Sequence, residues 1–250
     1  MEASLGIEIQ HNIARITFGS STANALSPEL LDDLCATIKE VDANPEVKVL
    51  ILQSEGDRAF CAGASLNALK KVTTLDAATD FFMGFAKLLN TIRTCSKFVI
   101  GRIQGKVVGG GIGLVSACDY AIATEAAAIR LSELSIGIGP YVIEPAVSRK
   151  IGKTAFNQLS VDSANWRSAK WAHTKGLYAE CCADITDLDS QVNSLAERLA
   201  SYSSDALLEL NNLHWNDTQH WKELLPKNAV ITGQLALSSH CQNILKNSHG

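Results

Sequence analysis

The stretch G-K-V-V-G-G-G-I-G-L-V-S-A-C-D-Y, Gly105 to Tyr120, places three consecutive glycines just before an apolar segment and adds a fourth at Gly113. Inside an element a glycine costs about 0.5–1 kcal/mol relative to alanine, so four within five residues need a reason. Either the backbone turns sharply there, or something must lie against its exposed N–H groups. The stretch follows F-V-I-G-R-I-Q, Phe98 to Gln104, whose apolar content predicts a buried strand. A second loop of the same kind, F-C-A-G-A-S-L from Phe60 to Leu66, follows the strand candidate V-K-V-L-I-L-Q, Val47 to Gln53. A turn from strand to helix leaves unpaired N–H groups at the helix start, where the dipole favours negative charge. Two such turns brought together would aim two backbone N–H groups at one oxygen, the physical requirement for an oxyanion hole. On the residues alone, two tight turns lined by small residues for packing remain the alternative.

Working outward, two short alternating runs, L-G-I-E-I-Q and I-A-R-I-T-F, flank His11-Asn12 and predict a hairpin. Ser27 as N-cap and Pro28 at the first position open an amphipathic helix carrying Leu30, Leu31, Leu34 and Ile38, ending near Asn44-Pro45. A long helix is predicted from about Asp76 to Arg93. Its Phe81, Phe82, Phe85, Leu88, Leu89 and Ile92 recur at helical spacing and read most simply as core. Asp119–Ala123 and Ala127–Leu131 are shorter strand candidates, and from Pro145 onward the pattern turns helical, with one break at Pro226-Lys227. The order is strand-loop-helix units first and helices last, which predicts an α/β fold.

At 250 residues, with 46% hydrophobic and 19% charged residues, the chain is long and apolar enough for a well-packed core. A formal net charge of −4 with mixed signs argues against a dedicated nucleic-acid or membrane-surface binder. The seven cysteines form no C-x-x-C pair and sit mostly among apolar residues, as expected of small buried hydrophobes in a reducing compartment. The opening M-E-A-S-L-G has no basic segment followed by an apolar run, so no secretory signal is expected and a cytoplasmic location is the default. The six histidines show no paired spacing, so no metal site is expected. Two nucleotide-loop readings fail. A dinucleotide fingerprint lacks its third glycine after Gly111 and Gly113, and Gly152-Lys153-Thr154 has Val147 where a P-loop requires glycine.

The two glycine-bearing loops, together with R-L-S-E-L-S-I-G-I-G-P from Arg130 to Pro140 and N-A-L-S from Asn24 to Ser27, resemble the crotonase (enoyl-CoA hydratase/isomerase) superfamily over about residues 5–180. The resemblance implies a crotonase-like spiral of ββα units over residues 1–190, followed by a C-terminal helical oligomerisation or lid region over 191–250. It implies assembly as homotrimers or hexamers and an acyl-CoA thioester substrate, with no cofactor beyond the coenzyme A that the substrate carries. It places the oxyanion-hole donors at the N–H groups of Ala64 and Gly110. Ala62, Ser65, Leu66, Gly109 and Gly113 are implied to lie along the substrate, and Gly109–Gly111 to let backbone and substrate approach.

Hydratases of this family generally use two glutamates. One maps onto Glu133. The other maps onto Gly113, which moves no proton. Glu133 alone suffices to shift a proton between C2 and C4 of an enoyl thioester, the arrangement that Δ3,Δ2-enoyl-CoA isomerases of the family resemble. Glu144, just ahead of the helix at Pro145, is either a helix cap or a replacement for the carboxylate missing at Gly113. Ser65 stands where the family usually has aspartate and can hydrogen-bond locally. Arg58 occupies the place of basic residues that touch CoA phosphates, and Tyr141 either lines the acyl pocket or packs. The leading expectation is hydration or isomerisation of an enoyl-CoA through a thioester enolate. Decarboxylation of a glutaconyl-type thioester on the same fold and a non-catalytic, RNA-binding relative are the alternatives.

Overall fold

The computed structural model describes residues 3–247. The chain begins with the expected hairpin, β1 (Ser4–Gln10) antiparallel to β2 (Ile13–Gly19), turning at His11 and Asn12, both with positive φ. Helix α1 (Pro28–Ala43) starts as expected: Ser27 accepts a hydrogen bond from the Leu30 N–H, and Leu30, Leu31, Leu34 and Ile38 are buried. From there the chain repeats one unit. β3 (Val49–Ser54) leads through β4 (Ala59–Cys61) and the single turn α2 (Leu66–Leu69) to the long helix α3 (Leu75–Arg93). β5 (Phe98–Ile103) and β6 (Lys106–Val108) lead to α4 (Gly110–Ala117). β7 (Tyr120–Thr124) and β8 (Ile129–Arg130) lead to a 3₁₀ turn at Glu133–Ile136, then α5 (Glu144–Val161) and α6 (Ala169–Thr174).

The first strand of each unit enters one six-stranded sheet, ordered β1-β2-β3-β5-β7-β9 and parallel from β2 onward. The second enters a small parallel sheet, β4-β6-β8. This is the ββα spiral. By their residues the segments after β3 and β5 read as loops running straight to the glycines. Each instead contains a three-residue strand, too short to show a period of two. Strand β9 (Glu180–Cys182) carries no sequence signal for the same reason.

Helices α7 (Ile185–Ala200), α8 (Ser204–Trp215), α9 (Trp221–Ala236) and α10 (Ser239–Asn247) follow. A boundary at 190/191 falls inside α7, whose Leu188, Val192 and Ala196 pack on Val49, Ile51, Ile100 and Ile122 of the large sheet. Pro226 does not break the chain but lies within α9. It removes one backbone donor, while the buried Trp221, Leu225 and Ala229 hold the helix on either side of it. The cysteines are free and all but Cys181 are buried; burial pushes the thiols of Cys61, Cys95 and Cys118 up to about 12. Among the described residues no helix is long and apolar enough to cross a membrane.

Candidate active site

Parallel pairing of β4 with β6 (Ala59 opposite Lys106, Cys61 against Val107) sets the C-terminal ends of the two short strands side by side. The loops leaving them therefore touch. A Cβ on Gly63, which has φ +83°, would sit 2.8 Å from the Val108 carbonyl oxygen and 3.1 Å from the Gly110 nitrogen. The first loop is held from behind: the Leu26 N–H donates to the Gly63 carbonyl (2.8 Å) and the Ser65 N–H to the Leu26 carbonyl (2.9 Å). Alternation along the chain turns the N–H of Ala64, between these two bonds, to the opposite side. It donates to no protein group among the described residues. In the second loop the Gly109 N–H donates to the Arg130 carbonyl (3.0 Å), whereas the N–H of Gly110, first residue of α4, has no intrahelical partner.

Ala64 and Gly110 both line a cavity of about 290 Å³. Two residues whose backbone N–H groups have no protein partner among the described residues, one of them at a helix N-terminus, thus border one space.

The four glycines have four separate reasons. Gly109 has φ +52° and ψ −124°, and a Cβ there would meet Glu133 Oε1 at 3.1 Å. A Cβ on Gly110 would meet Phe85 Cε1 at 2.4 Å, on Gly111 Cys61 Cβ at 2.9 Å, and on Gly113 Ile143 Cγ2 at 2.4 Å. The space a side chain would need is filled by protein, so close approach of protein to backbone, rather than of substrate alone, demands the glycines.

Glu133 opens the 3₁₀ turn, and its carboxylate lies over Gly109 against the cavity. The residue as a whole is half-buried, but Oε2 is buried and has no hydrogen-bond partner. Burial, opposed only by a backbone hydrogen bond, raises its pKa from 4.5 to about 7. Among the described residues no other acidic side chain lines the cavity; beside Arg130, Ser132 and Ser135 its walls are mainly apolar: Leu66, Leu69, Phe82, Phe85, Ile138, Val142 and Ile143, with Thr232 from α9. Phe82 and Phe85 are therefore more than the plain core that their spacing suggests. Helical spacing marks a buried face without telling a packed wall from a cavity wall.

Ala62 and Leu66 also line the cavity. Ser65 caps α2 by accepting from the Ala68 N–H (3.3 Å) and does not line it. Glu144 does not line the cavity: as first residue of α5 it accepts a hydrogen bond from Ser148 Oγ (2.7 Å). It is the neighbouring Ile143 that takes the space beside Gly113. Tyr141 is exposed and covers Gly139 rather than the cavity, and Arg58 is exposed just before β4. Among the described residues no three His, Cys, Asp or Glu side chains gather as metal ligands.

The profile of the enoyl-CoA hydratase/isomerase family matches residues 8–235. The chain belongs to that family. Among the relatives of this hydratase/isomerase chain, a probable enoyl-CoA hydratase of Bacillus subtilis is 28% identical over 218 residues, covering 86% of this chain and 83% of the relative. A peroxisomal Δ(3,5)-Δ(2,4)-dienoyl-CoA isomerase of Arabidopsis thaliana is 26% identical over 198 residues, covering 73% and 69%. The crystal structure of an enoyl-CoA hydratase from Mycobacterium avium superposes with a TM-score of 0.85 at 26% identity, over 98% of this chain and 96% of that one. One from Bacillus halodurans reaches 0.89 at 21% identity, over 98% and 99%, and supports the fold. The enzymes of the hydratase/isomerase family are lyases and isomerases.

Proposed function

We propose that the cavity binds an enoyl-CoA thioester and moves its double bond between C3 and C2 by proton transfer through Glu133. The observation that carries this reading is a single buried carboxylate beside two unpartnered backbone donors. The ionised carboxylate takes a proton from C2. The electron pair flows toward the thioester carbonyl, where the N–H groups of Ala64 and Gly110 receive the developing oxyanion; losing one such donor typically costs about 10²–10³-fold in rate. The same carboxylic acid then returns the proton at C4. A group titrating at about 7 is poised for both halves of this cycle. Addition of water would need a second group to take a proton from the water, and Ile143 occupies the space beside Gly113 where one would stand. The exposed Arg58 is assigned to the CoA phosphates, and the assembly is taken to be a trimer or hexamer, as the resemblance implies.

Purified protein mixed separately with a 3-enoyl-CoA and a 2-enoyl-CoA, followed by the absorbance of the conjugated thioester, tests the proposal. The expected result is a rise with the first and no fall to a hydroxyacyl product with the second. A fall with the 2-enoyl substrate makes the protein a hydratase. No change with either points to decarboxylation of a glutaconyl-type thioester or to a non-catalytic relative.

A further inference from the structure

From the two buried amides that meet on one backbone carbonyl we infer that Asn24, seconded by Gln104, is a positioning residue for the Ala64 donor; this rests on the oxyanion reading above. Asn24 is 5% exposed and has φ +58°, a left-handed conformation that asparagine tolerates better than most residues. Its side chain is fully engaged. Oδ1 accepts from the Ser20 N–H (3.1 Å), and Nδ2 donates to the carbonyls of Glu55 (2.8 Å) and Ala59 (2.9 Å). The amide orientation is unambiguous, because two of its neighbours are acceptors and the third is a donor. Gln104, 1% exposed, reaches the same Ala59 carbonyl from the other side with Nε2 (3.2 Å) while also donating to Ser54 Oγ (2.9 Å).

Ala59 is the first residue of β4, and the loop that β4 feeds carries Ala64. The turn that Asn24 shapes then grips that loop directly. The Ala62 N–H donates to the Ala23 carbonyl (3.0 Å), and the two bonds through Leu26 bracket Ala64. Asn24 therefore sets both ends of the segment 59–65, its start through a side chain and its end through the neighbouring backbone. Gln104, between β5 and β6, refers the same segment to the strand that leads to Gly110. The spacing of the two donors is fixed from a buried point that touches no substrate.

The test uses the full-length protein and three variants, Asn24→Gly, Asn24→Asp and Gln104→Ala. Glycine keeps the left-handed backbone and removes the clamp. Aspartate keeps the shape but turns an acceptor toward two carbonyls. The readouts are turnover, the dissociation constant of free CoA, and the red shift of a chromophoric cinnamoyl-CoA on binding, which reports polarisation of the thioester carbonyl. The expected result is a turnover loss of about tenfold to a hundredfold in Asn24→Gly, the size of effect that small misplacements produce. The loss is greater in Asn24→Asp and smaller in Gln104→Ala, with a reduced red shift and CoA affinity within twofold in all three. A red shift equal to that of the unmodified protein in the variants overturns the inference, leaving the oxyanion reading intact. No red shift in the unmodified protein overturns the oxyanion reading and the inference with it.

Discussion

At the scale of the residue, the proton-transfer role proposed for Glu133 sets chemistry and stability in opposite directions. Glu133→Gln should lower isomerisation by about 10²–10⁴-fold, the usual worth of a positioned acid–base group. The kcat/KM of the unmodified protein should fall about tenfold for each pH unit below about 7, because only the ionised carboxylate takes a proton. The effect on stability has the other sign. The folded state holds the proton more tightly than the unfolded chain, so stability is present in full below about 4.5 and is lost as pH rises through about 7. Denaturant melts should therefore show Glu133→Gln more stable than the parent at pH 8. The gain should reach up to about 3 kcal/mol, since the folded and unfolded carboxyls titrate at about 7 and 4.5, and it should close toward pH 4. Glu144→Gln, which alters a bond to Ser148 and the charge at the start of α5, should turn over within about twofold of the parent, and a loss like that of Glu133→Gln would put Glu144 back in the site.

At the scale of the element, α4 lies against the start of α5 through Gly113 and Ile143. The two effects of Gly113→Ala compete. Alanine favours a helix over glycine by about 1 kcal/mol, while a Cβ 2.4 Å from Ile143 Cγ2 overpacks a closed site at about 1–3 kcal/mol. The collision should win, so Gly113→Ala is expected to destabilise the protein by about 1 kcal/mol in denaturant melts. In an Ile143→Ala background the same substitution should be neutral or stabilising. A double-mutant cycle measures the coupling, and additivity within about 0.5 kcal/mol would refute direct packing.

At the scale of the whole molecule, the C-terminal helices complete the cavity instead of forming a separate appendage. α9 packs along α3, where a Cβ on Gly233 would lie 3.1 Å from the Thr79 nitrogen and 3.3 Å from Ala78 Cβ, so the helices cross in close contact. The neighbouring Thr232 lines the cavity, as do Phe82 and Phe85 of α3. Gly233→Val should pry the helices apart, lowering Tm by several degrees, as about 1–3 kcal/mol of overpacking does in a domain of this size. It should also raise KM several-fold by opening the wall. An unchanged KM beside a lowered Tm would show that α9 supports the fold without shaping the substrate space.

Local chemistry was sufficient for much of this protein. The hairpin at His11-Asn12, the Ser27-Pro28 helix start, the long α3 and the presence of two glycine-bearing loops after strands are all written in short-range signals: turn residues, caps and hydrophobic period. Glu133 is legible because its flanks match the family, and its burial follows from the apolar residues around it. Strands β4 and β6, three residues each, have no period to show, so their pairing, which brings Ala64 and Gly110 together, is invisible until β4 lies beside β6. Whether Glu144 enters the cavity is likewise a matter of direction. One residue of helical rotation puts Ile143 in the wall and Glu144 outside it, and only the packing of α5 on α4 decides that angle. The glycines make the same point: the sequence marks four positions where a side chain is excluded, and tertiary contact alone tells which atoms exclude it.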